Sequence, residues 1–190
     1  MNQNQRIPQN SSSIAWFKIA NLIERREREK AMSVYKLMTH SLPDRAYALQ
    51  LEADILLYFD EIQESCAKYI QSAFLYRNAK RWLDAVALYE QVCMLEPKNS
   101  DALIYSVPCY AQLDWDKKFV IKLNQISDFV IENQDDEKLV THLIKTLAEV
   151  GREIDAVIFK TQLQNKLVQM LALIPKHTAE KLEPVVKKCF

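Results

Sequence analysis

Three histidines, four cysteines and two clusters of acids are the residues in this chain whose chemistry invites a site. His40, His142 and His177 stand far apart, with no HExxH pair and no second ligand at helical spacing. A bound metal would therefore have no donor set among them. Cys66, Cys93, Cys109 and Cys189 form no CxxC and no paired framework, and read as reduced cysteines in or near an apolar core. Asp114 and Asp116 flank Trp115, and Asp135, Asp136 and Glu137 are consecutive. Paired carboxylates do acid–base work when one of them is buried. Here both sets sit in polar stretches ahead of helices, where capping and solubility account for them. There is no GxSxG, and a single glycine argues against any glycine-rich phosphate loop. No catalytic, cofactor-binding or metal-binding residue is assigned, and the chain is expected not to be an enzyme.

The elements that would position a site are helices. The chain has 190 residues, 49% of them hydrophobic and 26% charged, enough for one domain or one compact repeat array. So few glycines disfavour tight hairpins, which need positive φ, and point to an all-α fold. Lys and Arg number 25 against 25 Asp and Glu, with no basic stripe, so no nucleic-acid partner is expected. No stretch approaches the roughly 18 apolar residues of a membrane span. The leading MNQNQRIPQNSSS has no apolar signal core, so the expected location is cytoplasmic. Residues 1–12 are expected to form a disordered tail, and 13–190 a single helical domain with a C-terminal capping helix.

Ser13 is placed to cap a first helix, and the alternating charges of Glu24–Lys30 read as a solvated turn opening a second or, since no Gly or Pro intervenes, as part of one unbroken long helix. Asp44 is placed to cap a third helix. Asp60, with Gln63 as its capping-box partner, begins a fourth that runs to about Ala79. Pro97 stops a fifth. Pro108 should kink or break the sixth near Val107. An acidic loop caps a helix over Glu137–Glu149, and Gly151 supplies a left-handed stop. A long helix is expected from Arg152 to about Leu173, with Ile154, Val157, Ile158, Leu167, Val168 and Leu171 as its stripe and Phe159, Leu163 and Met170 off it. The tail is a short helix interrupted by Pro184.

The stretch YIQSAFLYRNAKRWLDAVALYEQVCMLEPKN, from Tyr69 to Asn99, carries the strongest pattern. Ala73 and Tyr76 share one helical face; Trp82, Ala85, Tyr89 and Val92 share a face of the next helix; Pro97 ends it. Small residues let two backbones approach while aromatics fill the space beside them. Ala31, Tyr35, Met38 and Pro43 recur at the same offsets as Ala85, Tyr89, Val92 and Pro97. A second frame, Ala53, Leu56, Ile62, Ser65, Tyr69 and Ser72, overlaps the first in the fourth helix. The frame with the proline is preferred, which makes the third helix an insertion. After Pro97, Leu103, Tyr110, Phe119, Leu123 and Ile126 continue the pattern.

This spacing resembles the tetratricopeptide repeat, a helix–turn–helix unit of about 34 residues. The resemblance implies antiparallel helix pairs stacked as a short right-handed α-solenoid, with Ala73, Ala85 and Tyr89 in its interior. It also implies a non-enzymatic interaction scaffold that binds a peptide or helix of a partner protein in a concave groove. The groove positions it implies are Ile70, Phe74, Arg77 and Asn78 on the fourth helix, Ile104, Pro108, Ala111 and Gln112 on the sixth, and Lys138, His142 and Lys145 on the eighth. Ile70 and Phe74 stand where a chaperone-tail clamp would need Lys and Asn, which argues against partners of that kind. An apolar-to-basic groove suggests a partner segment with hydrophobic anchors and an acidic end. Self-association through exposed helix ends is a further expectation. The alternatives are a small secretion-type chaperone for a client protein and, third, an enzyme whose site is assembled from groups that sequence spacing hides.

Overall fold

The computed structural model describes the backbone of residues 9–40, 42 and 44–190, with side chains from Ile14 onward. Most of the expected tail, and Pro43, lie outside the described residues. Among the described residues ten helices follow in order: α1 (Gln9–Glu24), α2 (Arg28–Thr39), α3 (Arg45–Tyr58), α4 (Ile62–Asn78), α5 (Trp82–Leu95), α6 (Ser100–Gln112), α7 (Asp116–Glu132), α8 (Glu137–Val150), α9 (Val157–Leu173) and α10 (Lys176–Cys189). Among the described residues there is no strand, and no helix is long and apolar enough to cross a membrane. Ser13 lies inside α1, past its start.

Four of the turns between helices share one construction. Arg26, Asp60, Lys80 and Asp114 each adopt a left-handed φ, between 57° and 63°. The N–H of each bonds three residues back, and the next N–H bonds five residues before itself, as in Lys80 to Arg77 O and Arg81 to Tyr76 O, both 2.9 Å. This closes the helix C-terminus with its last carbonyls satisfied. The residue after the left-handed one then accepts the first bond of the next helix, as Arg81 O does from Ala85 N at 3.0 Å. Asp60 follows Arg26 by 34 residues, and Asp114 follows Lys80 by 34. Asp60 therefore ends α3 and does not begin α4 through a capping box.

The chain divides into two compact units, Met1–Leu75 and Tyr76–Phe190. In the first, Ile19, Met32, Tyr35, Met38, Ile55 and Leu56 form the core of α1, α2 and α3. Asp44 caps α3 by accepting from Ala46 N at 2.9 Å. The serines of the second sequence frame tie α4 to α3: Ser65 Oγ donates to Ala53 O at 2.9 Å and Ser72 Oγ to Ala46 O at 2.7 Å. Such bonds need close backbones, which Ala46 and Ala53 permit. Tyr69 adds a hydrogen bond to Asp54, and Lys68 pairs with Glu52 at 2.9 Å. So α3 is no insertion; it forms a hairpin with α4 through the same turn as the others.

In the second unit, α6 packs on α5, α7 and α8, while α9 and α10 close on α7, α8 and each other. Ala85 and Tyr89 are fully buried here, as Ala73 is in the first unit. Leu103, Tyr110, Phe119, Leu123 and Ile126 are interior as expected, and Phe119 meets Phe159 edge-on at 4.9 Å. Asp136 caps α8 through Lys138 N and Leu139 N.

Four expectations in this unit are corrected. Pro108 breaks nothing: α6 runs through it, held in the interior on both sides. Pro184 likewise lies within an unbroken α10. Gly151 has φ −59 and is not a left-handed stop; a Cβ there would come within 2.9 Å of the Leu163 and Phe190 side-chain ends, which would have to shift to admit it. Residues 151–156 are a short 3-10 turn and an extended connector, so α9 starts only at Val157. Its buried face is Phe159, Leu163, Leu167 and Met170, while Val157, Ile158 and Val168 are 77%, 64% and 55% exposed.

Candidate partner-binding face

The last turn of α4, the C-terminal half of α6 and the connector after α8 meet around one buried cation. Arg77 is 6% exposed. Its guanidinium lies 4.7 Å over the Tyr105 ring and its Nη2 is 3.7 Å from the Glu153 carboxylate. Arginine suits such a place because its planar, weakly hydrated group stacks and pairs at once. Gln112 Nε2 donates to Glu153 O at 3.1 Å and to Asp155 Oδ2 at 3.4 Å. Between these two acids Ile154 is extended, with φ −88 and ψ 116, and fully buried.

Two nucleophile-capable groups adjoin this cluster, and neither is activated. Burial pushes the Cys109 thiol up to about 12, against the pull of Arg77. Burial also raises the Tyr89 hydroxyl, which has no hydrogen-bond partner among the described residues. Both stay protonated at neutral pH. A second polar network joins α5, α6 and α7: Lys122, 4% exposed, pairs with Glu90 at 2.8 Å and lies 3.6 Å from Cys93 Sγ, while Tyr110 donates to Glu90. Burial pushes the Glu90 carboxyl up, but its hydrogen bonds with Lys122 and Tyr110 outweigh this and hold it below the usual carboxylate range. No group of three or more potential metal ligands occurs among the described residues.

The positions implied by the repeat resemblance separate into three groups. Ile104, Pro108 and Ala111 are interior to the second unit. Arg77 and Gln112 are brought together by the connector, and Asn78 beside them is exposed. Lys138, His142 and Lys145 are exposed on one face of α8, and none has a carboxylate partner among the described residues. Ile70, half-buried, and Phe74, 47% exposed, lie in the first unit. Tyr105, Glu153 and Asp155 were not anticipated. The acid–aliphatic–acid triplet Glu153–Asp155, one residue after the only glycine, was the available signal, but the apolar residues that follow made it read as helix.

A groove of about 390 Å³ opens between α9 and α10, with Val168, Leu171, Ala172, Ala179 and Val186 in its lining. Lys176–Glu180 and Lys187–Glu183 pairs stand at its edge.

No protein-family model matches this chain, and no curated protein matches it in sequence.

Proposed function

We propose that this chain is a non-enzymatic protein-interaction scaffold, similar to tetratricopeptide-repeat proteins, that receives an acidic peptide segment on the α6–α8 side of its second unit. The observation that carries the reading is the row Lys138, His142 and Lys145 at i, i+4 and i+7 on α8, exposed and without carboxylate partners among the described residues. Cations on a soluble helix are commonly matched at i, i+4, as Lys187–Glu183 is here. Lys138 and Lys145, exposed and in no ion pair among the described residues even though Glu149 follows Lys145 by four, favour a partner of opposite charge. The repeated turn at a spacing of 34 residues and the buried alanine–aromatic seam support the repeat likeness.

The test is an array of extended peptides of varied charge, probed with the wild-type chain and with a Lys138→Glu, Lys145→Glu variant. Acidic peptides should bind the wild type, more weakly as salt rises, and the variant should lose about tenfold in affinity. Binding without charge preference, or untouched by the two substitutions, overturns the reading.

A further inference from the structure

The outward side of α9 stands apart from the rest of the second unit's surface. The helix turns Phe159, Leu163, Leu167 and Met170 into the core, and none of the residues it exposes is charged. Its two lysines, Lys160 and Lys166, are half-buried, whereas α7, α8 and α10 each expose several charges. A surface helix ordinarily keeps its charges on the face opposite the core. Depletion of charge is what the centre of a protein–protein contact shows. The exposed side also has an order. Ile158, Thr161, Asn165 and Val168 follow one another at spacings of three, four and three, the rhythm of a helix–helix seam. In either direction that order is apolar, polar, polar, apolar. The two ends of the face differ in shape. Val157 and Ile158 protrude at the N-terminal end, 77% and 64% exposed. The groove beside α10, lined in part by Val168, Leu171 and Ala172, opens at the C-terminal end.

We propose that the outward side of α9 is the contact between two copies of this chain, paired antiparallel about a two-fold axis. A two-fold contact sets residue i against j and j against i, so it needs a surface that complements itself. The order of this face meets that need. Pairing Ile158 with Val168 of the second copy sets Thr161 opposite Asn165, and each pair then occurs twice. The Asn165 amide donates to the Thr161 hydroxyl of the second copy, and this central polar pair fixes the register at some cost in affinity. The same pairing carries the protruding Val157 and Ile158 of each copy to the groove of the other, about 15 Å along the helix. A second copy is favoured over an unrelated partner because the face holds no charge to select one. The groove edge is neutralised by its own Lys176–Glu180 and Lys187–Glu183 pairs. A head-to-tail stack would leave one groove and one knob unfilled at its ends; the two-fold pair fills both. The contact is separate from the Lys138–Lys145 row and does not rest on the peptide-binding reading.

The test is the mass of the full chain in solution, followed by sedimentation over a range of concentrations. Wild type should form a dimer and no larger species. Ile158→Lys and Val168→Glu each put an unpaired charge into the contact, and each should raise the dimer dissociation constant at least about tenfold. Both side chains are exposed, so the monomer should keep its fold, checked by helical signal and Tm. The antiparallel pairing makes a further prediction that mere loss of apolar surface does not. The Ile158→Lys, Val168→Glu double variant sets each lysine opposite a glutamate of the second copy. It should dimerise more tightly than either single variant, and the gain should fade as salt rises. A wild type that is monomeric at every concentration overturns the proposal. So does a dimer untouched by the single variants, or a species that keeps growing with concentration. A double variant no tighter than the single ones overturns the antiparallel pairing. If the wild type is monomeric and Ile158→Lys lowers peptide binding in the array, α9 faces another polypeptide and the two-copy contact falls.

Discussion

The two units use the same turn, spaced by the same 34 residues, and hold their helices together by different means. In the first, α3 and α4 are joined by serine hydroxyls on backbone carbonyls, by Tyr69 on Asp54 and by Lys68 on Glu52. Its two turns are tied by Arg26 to Asp60 at 3.1 Å and by Arg28 to Glu61 at 2.7 Å. In the second, Tyr89, Tyr110, Phe119 and Phe159 are large side chains buried outright, and the polar contacts gather at the buried cations Arg77 and Lys122. Hydrogen bonds across a helix pair fix register while contributing little net energy; buried aromatic area contributes more and tolerates sliding. The same hairpin can thus be specified by direction or by volume.

Substitutions in the two units should separate these modes, read by hydrogen exchange resolved for each unit. Phe119→Ala leaves a cavity against Phe159 and should destabilise the second unit by about 3–5 kcal/mol. A loss under about 1 kcal/mol would mean its aromatic core is not the main source of cohesion. Ser72→Ala removes one cross-helix bond from the first unit and should cost about 1 kcal/mol there; a neutral or stabilising outcome would show that α3 and α4 need only the small side chain.

Two smaller effects concern the turns. Lys80 holds a left-handed φ of 58°, which costs a residue with a Cβ roughly 1–2 kcal/mol. Lys80→Gly should therefore stabilise by about 0.5–1 kcal/mol, part of the relief being lost to the entropy of glycine. An unchanged denaturation midpoint would show that the turn is strain-free. At the first unit's turns, the hydrogen bond from Arg28 holds the Glu61 carboxyl below its ordinary pKa. A lowered folded-state pKa gives stability that is present above the unfolded pKa and lost as pH falls through the folded one. Glu61→Gln should be slightly less stable than wild type at neutral pH, by a few tenths of a kcal/mol, and the difference should vanish in acid. A difference independent of pH would assign it to packing.

The helices and most of their faces were legible because burial follows a 3.6-residue period that residue types record directly. Ala73, Ala85, Tyr89, Leu103 and Phe119 went where that period put them. The 34-residue turn spacing was harder to see, since no glycine marks a left-handed position: Arg26, Asp60, Lys80 and Asp114 hold it instead. The frame conflict in α4 was real information, because that helix carries one set of residues for each pattern and the division between the units falls inside it. The connector was invisible in sequence because Ile154, Val157 and Ile158 are spaced as a helix would space them.

What the residues alone determined is therefore the all-helical class, the capping of α3 by Asp44 and of α8 by the acidic loop before it, and the alanine–aromatic interior. Tertiary structure decided which face of α9 is core, that Pro108 and Pro184 interrupt nothing, and that Arg77 meets Glu153. The reason is one of range. A helix and its caps are set by neighbours within a turn, whereas an apolar helix with two candidate faces, or a cation with many candidate acids, is resolved only by what packs against it.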